Sequence, residues 1–304
     1  MAPATMPAQF TLFVLAITFL IIHASPALRG EDIVVPVQFS YTGADGPAKW
    51  GSLNPTFSAC SNGKSQSPID IAKGKIVLDT KLKALTRQYN SINATLINNG
   101  FNIGLRCGEN SGVLVSDGKT YKFKQMHWHS PSEHRIDGVR SRAFFYFFFG
   151  FLTVPTKNLT NALEHHGYDA ELHLVHIADD GSLAVVSILY HLGHPDPLIT
   201  KIQNKLYQLA KEQFGVHAKG QIALGAFSMH QVKKNTRKYY RYFGSLTTPP
   251  CTEPVAWHIL GKVRSISSEQ LQALKAPLGW AYKNNSRPVQ PLNGRQIELY
   301  EEVN

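Results

Sequence analysis

Lys124-Gln125-Met126-His127-Trp128-His129 sets two histidines two residues apart in a stretch that reads as a β-strand. Side chains at i and i+2 of a strand leave the same face, so His127 and His129 project together, with Gln125 on their side. A third imidazole from a neighbouring strand would complete a tetrahedral zinc cage with one corner open to water. The chain has 13 histidines, so this pair alone also fits a half-exposed strand with its polar side chains outward. The rest of the sequence has to decide between the two readings.

A matching stretch lies downstream, at Ala170-Glu171-Leu172-His173-Leu174-Val175-His176. Its strict alternation places Glu171, His173 and Val175 on one face and the remaining four residues on the other. A carboxylate two residues before a histidine suits a metal ligand whose second ring nitrogen is held by an acceptor. Such an acceptor fixes the tautomer and raises the basicity of the ligating nitrogen, and Gln125 suits His127 in the same way. The alternative for His173 is a core histidine held by Glu171.

Turn chemistry recurs around these stretches at Asn98-Asn99-Gly100, Ser116-Asp117-Gly118 and Asp179-Asp180-Gly181. Between the turns lie short β-rich runs at 94–98, 121–129, 172–177 and 183–190. The pattern predicts a mostly β (α+β) single domain built on a large, twisted, mainly antiparallel central sheet. A few short peripheral helices accompany it. Residues 197–214 carry Leu198, Ile202, Leu206 and Leu209 at helical spacing, and 268–274 opens on a Ser-x-x-Gln capping pattern.

At 304 residues there is room for one large core. Residues 10–22 are nearly unbroken apolar sequence followed by His23-Ala24-Ser25-Pro26-Ala27. This predicts a secretory signal peptide over 1–27, with an uncleaved anchor as the alternative, and a folded domain over 38–302. No membrane association is expected after cleavage. In an oxidising compartment the three cysteines predict one disulfide and one residual thiol, and spacing alone does not choose the pair. Asn93, Asn158 and Asn284 open glycosylation tripeptides. The formal charge is +10, densest at Lys233-Lys234-Asn235-Thr236-Arg237-Lys238. In a secreted chain this reads as a solvated loop that touches anionic polymer, with no nucleic-acid partner.

One further segment, Gly244-Ser245-Leu246-Thr247-Thr248-Pro249-Pro250-Cys251-Thr252-Glu253, changes the weight of the histidines. Other pieces join it in order: Trp50-Gly51, Gln66-Ser67-Pro68-Ile69-Asp70, Ser130-Pro131-Ser132-Glu133-His134 and Arg287-Pro288-Val289-Gln290-Pro291. With the two histidine strands, the chain resembles the alpha-class carbonic anhydrases, most closely their plant branch and more distantly the dioscorin-type storage proteins. Agreement among many separate motifs makes the resemblance specific.

The resemblance implies zinc on His127, His129 and His173, with water or hydroxide in the fourth position attacking carbon dioxide to give bicarbonate and a proton. It implies that Thr247 accepts from the hydroxide and donates to Glu133, and that Gln125 and Glu171 support the ligands. Backbone around Thr247 and Thr248 would hold bicarbonate. Val175, Val185, Leu246 and Trp257 would form the apolar wall for carbon dioxide. Sulfonamides and small anions would inhibit. The resemblance also pairs Cys60 with Cys251, leaves Cys107 as the thiol, and points to the apoplast, with onward routing to a plastid left open. A storage or binding protein on the same fold is the alternative, although storage relatives tend to lose zinc ligands and all three are present here.

The chain departs from the pattern twice. The family usually carries a proton-shuttling histidine just after the Asn-Asn-Gly turn. Here that residue is Phe101, which cannot carry a proton. The family also runs from Arg140 almost directly into Tyr168, whereas 141–167 intervenes, with Phe144-Phe145-Tyr146-Phe147-Phe148-Phe149 inside it. We read 141–167 as a translated intron. The alternative is a genuine atypical loop, and a product made non-functional by blocked strand pairing is a third outcome.

Overall fold

In the computed structural model, residues 39–138, 167–211, 220–232 and 236–302 are described. The signal-peptide expectation, most of 141–167 including Asn158, and Lys233-Lys234-Asn235 lie outside them. Thirteen strands form one sheet, and two short strands, Asp70–Ile71 and Arg135–Ile136, pair apart from it. Most pairs in the large sheet are antiparallel. Leu183–Leu192 runs parallel to Val255–Leu260 and to Arg264–Ile266, and Ile297–Glu301 runs parallel to Ile76–Leu78.

The centre of the sheet is the run Ser91–Asn98, Ile103–Cys107, Lys119–His129, Ala170–Ile177, Leu183–Leu192, Val255–Leu260. Its strands obey the period of two. On one side Leu96, Leu105, Met126, Leu172, Leu174 and Val186 enter the larger core. On the other side Val185, Val255, Trp257 and Ile259 form a second cluster, and the histidines emerge on this second face. One strand pair fixes the geometry of interest. Lys119–His129 and Ala170–Ile177 are antiparallel, with His127 opposite His173, His129 opposite Glu171 and Gln125 opposite Val175. The strands flanking the insertion therefore pair in register with 141–167 present in the chain.

The helical expectation over 197–214 is corrected. Two short helices form, Pro197–Thr200 and Gln203–Lys211, separated by a turn at Lys201 and Ile202. Asp196 caps the first through Leu198 N and Ile199 N, while all four expected apolar residues are buried. Apolar spacing reports the buried face and says little about one broken turn. The later helix is Ser268–Lys275, and its capping box uses Ser267 with Gln270.

Candidate metal centre

Three imidazoles converge on the second face of the sheet. Ring centroids are 5.0 Å apart for His127–His129, 5.2 Å for His127–His173 and 4.7 Å for His129–His173. Their candidate donor nitrogens all lie within 4.8 Å of one another. The opposite nitrogen of each ring is tied to an acceptor. His127 Nδ1 donates to Gln125 Oε1 at 2.9 Å, His129 Nδ1 to the Asn285 carbonyl at 2.6 Å, and His173 Nε2 to Glu171 Oε1 at 2.8 Å. Each tie leaves a lone pair aimed inward: Nε2 of His127, Nε2 of His129 and Nδ1 of His173.

Electrostatics keep the rings neutral, as metal ligation requires. Burial lowers all three pKa values, to about 3 for His129, and the neighbouring imidazoles add to the effect at His127 and His129. His129 Nε2 is buried without a hydrogen-bond partner, and so is Glu133 Oε2, 3.5 Å away. Two orphaned polar atoms facing one point need an explanation. A cation on the three nitrogens supplies one. Three neutral imidazoles with an open fourth direction suit zinc in tetrahedral geometry, where ligand nitrogens sit about 3.3 Å apart.

Glu171 anchors the cluster. Oε1 accepts from His173 Nε2, His134 Nδ1 at 2.7 Å and Ser187 Oγ at 2.6 Å, while Oε2 accepts from Glu133 N and His134 N at 2.7 and 2.8 Å. Burial by itself would raise this carboxyl. The surrounding donors, led by His134 and His173, outweigh it and hold the pKa well below the usual range. His134 Nε2 then accepts from Tyr242 at 2.7 Å, and Tyr242 meets Ser67 Oγ at 2.7 Å.

Glu133 is buried next to the histidines. Its Oε1 accepts from Arg287 N at 2.9 Å, and the Thr247 hydroxyl lies beside the carboxylate. Burial, then the charge of Glu171, pushes its pKa well up, a shift that a bound cation would oppose.

The Thr247 segment is fixed from several sides. Ser67 and Ser245 exchange two hydrogen bonds of 2.9 and 3.0 Å, Trp257 Nε1 donates to Ser245 O, and Leu246 N donates to Thr252 O. The Cys60–Cys251 disulfide closes the segment's far end across 191 positions, and Cys107 stays a half-buried free thiol. The buried Arg287 guanidinium bonds Gln66 Oε1, Ser67 O and Cys60 O.

The inward nitrogens open onto a cavity of 390 Å³, within the range of small-molecule sites. Val175, Val185, Leu246 and Trp257 form an apolar side, with Thr247 and Thr248 beside them. Asn99, Asn102, Arg106 and Gln125 make the opposite side polar. Phe101 also lines the cavity and packs on Phe39 at 5.2 Å, while its carbonyl accepts from Asn285 Nδ2. Asn93 and Asn284 are exposed, and Asn284 Oδ1 accepts from Lys275 Nζ at 3.0 Å.

Sequence reasoning did not assign roles to His134, Ser187, Tyr242, Asn285 or Arg287. His134 stood inside a quoted motif, but residues 130–134 leave the strand, so alternation said nothing about it. Asn285 was visible only as the middle of a glycosylation tripeptide.

The family described as eukaryotic-type carbonic anhydrase matches residues 45–301. The chain belongs to this family. Alpha carbonic anhydrase 7 of Arabidopsis thaliana is 34% identical over 298 residues, covering 97% of this chain and 95% of the relative. Dioscorin DB3S of Dioscorea polystachya is 32% identical over 268 residues, covering 88% of each. Among solved structures, dioscorin complexed with ascorbate superposes with a TM-score of 0.75 at 32% identity, covering 87% of this chain and 98% of its own. The alpha-carbonic anhydrase of Thermovibrio ammonificans in complex with the inhibitor sulfanilamide gives 0.68 at 31% identity, covering 86% and 98%. Carbonic anhydrases and a dioscorin thus share the fold of this chain.

Proposed function

We propose that the protein is a zinc-dependent carbonic anhydrase that reversibly hydrates carbon dioxide to bicarbonate and a proton. One observation carries the reading: three neutral imidazoles aim lone pairs at one point while their other nitrogens are fixed by Gln125, Asn285 and Glu171. Zinc, when held there, acts as a Lewis acid that makes water nucleophilic near neutral pH. The remaining work belongs to the chain. Glu133 takes the Thr247 proton in a hydrogen bond, so Thr247 Oγ1 accepts only from a nucleophile that still carries a proton. Val175, Val185, Leu246 and Trp257 hold a linear apolar substrate without competing for it. Backbone around Thr247 and Thr248 binds the anionic product. Phe101 gives no path for protons to solvent, so turnover depends on dissolved buffer. We further infer a secreted, disulfide-bonded glycoprotein of the apoplast, inhibited by sulfonamides and small anions.

The similarity to dioscorin supports a second reading, a storage or binding protein on this scaffold. Zinc content after dialysis and stopped-flow hydration of carbon dioxide separate the two. The carbonic anhydrase reading expects one zinc per chain and a hydration rate abolished by His173→Ala. Protein that retains no zinc after zinc loading overturns it. A form lacking 141–167, assayed alongside, tests whether the insertion suppresses activity. Peptide mass spectrometry of native material tests whether 141–167 exists in the mature chain.

A further inference from the structure

Beyond the cavity the sheet ends in a strand that carries no charge of its own. Gln221–Ser228 pairs with Ser91–Asn98 on one side and, among the described residues, with no strand on the other. Its 8 residues include no charged side chain and no proline. Native edges are kept from pairing with another chain by charge, proline, shortness or a bulge. The opposite edge, Ile76–Leu78, is 3 residues long and lies between Lys75 and Asp79. Gln221–Ser228 has one such device, a bulge between Ala223 and Gly225, with Gly225 at φ +66°. Lys201 reaches this strand from the core side, over the ring of the buried Phe227.

One glycosylation tripeptide stands beside that edge. Ala94 and Leu96 enter the larger core, so Asn93 and Thr95 leave the opposite face of their strand. Asn93 is exposed and pairs opposite Ala226, which is exposed as well. It therefore stands one strand spacing, about 4.8 Å, in from the edge. The surface next to it is bare. Ala223 and Ala226 are small, and a β-carbon on Gly225 would meet no atom within 4 Å. Asn284, the other described acceptor, lies outside every strand.

We propose that Asn93 carries an N-linked glycan and that this glycan guards the open edge of the sheet. The proposal deepens the glycoprotein reading and rests on it. In the transfer, Asn93 Nδ2 bonds to C1 of the first sugar of a lipid-diphosphate oligosaccharide. The sugar–phosphate C–O bond breaks, the amide loses one proton and the lipid diphosphate leaves. The attached chain is bulky and hydrated, so it occupies the space through which a second copy would add its own strand.

The test uses the full chain secreted from a host that makes high-mannose glycans. A peptide amidase in heavy-oxygen water turns each glycosylated Asn into labelled Asp, and peptide mass spectrometry should find the label at Asn93. Light scattering then reads the average mass against protein concentration. The parent, Thr95→Ser, which keeps the tripeptide, and Asn284→Gln should each hold a constant protein mass. Asn93→Gln and Thr95→Ala should show a mass that climbs with concentration, and adding Ala226→Lys to N93Q should restore a constant mass by charging the edge. If N93Q is not secreted, an endoglycosidase that trims the folded parent to one sugar supplies the unguarded form. Label at Asn284 without label at Asn93 overturns the site alone. Label at no Asn overturns the glycoprotein reading and the site with it. An unguarded form whose mass stays constant overturns the guarding role.

Discussion

Acidification should unfold this protein through two histidines that face away from the cavity. His176 and His258 are fully buried, with Nε2 of each bonded to a hydroxyl, Tyr89 at 2.9 Å and Ser116 at 2.8 Å. Burial lowers both pKa values from the ordinary 6.5 to about 3. The folded state then binds fewer protons than the unfolded chain between those values. The stability this contributes is fully present above pH 6.5 and is lost as pH falls toward 3. Between pH 7.5 and 5 the loss amounts to about 2 kcal/mol per histidine, or about 4 kcal/mol for the pair. That is a large fraction of the 5–15 kcal/mol by which domains are usually stable, so the effect is measurable. Urea unfolding of zinc-free protein, followed by tryptophan fluorescence at pH 7.5, 6 and 5, gives the slope of stability against pH. His176→Gln removes one of the two groups and should lower the slope by up to about 1.4 kcal/mol per pH unit, with all other titrating groups common to both proteins. The reasoning is refuted if parent and variant lose stability in parallel across that range.

Replacing Phe101 by histidine places a titratable ring at the cavity wall, and hydration in weak buffer should rise severalfold while the rate in concentrated buffer changes little. An unchanged rate in weak buffer would show that proton transfer is not limiting. Gln125→Leu frees the His127 tautomer and should weaken zinc about tenfold, read by competition with a chelating dye. Thr247→Val should leave zinc content intact and lower hydration about a hundredfold, the scale of a lost oriented hydrogen bond at a reacting centre. Cys60→Ser opens a closure of 191 positions and should lower stability by up to about 5 kcal/mol in chemical denaturation. A Cys60→Ser midpoint equal to that of the parent would place the stabilisation of the Thr247 segment in Arg287 and the Ser67–Ser245 bonds instead.

Much of the site was legible because strands translate sequence spacing directly into direction. Gln125, His127 and His129 had to share a face, and so did Glu171, His173 and Val175, whatever the rest of the chain did. Turn chemistry and short β-rich runs were enough for a large, mainly antiparallel sheet. Motif order supplied the family, and with it the Cys60–Cys251 pairing that spacing left open. What alternation could not reach was register: whether His127 would meet His173 or slide past it by two residues. That is decided by pairing across 46 positions of chain, from the agreement of both cores at once.

The third acceptor was equally invisible. His129 is oriented by the backbone carbonyl of Asn285, 156 positions away, and a carbonyl leaves no signature in side-chain pattern. The same holds for the five donors that converge on Glu171, which come from three segments of chain. By itself the sequence determined which atoms could ligate, on which faces they lie and which side chains could serve as acceptors. Only the tertiary structure decided that these atoms meet, that their tautomers are locked, and that Arg106 stands at the rim of the same cavity. Ligand identity is local chemistry, whereas the distance between ligands is a property of the packed sheet.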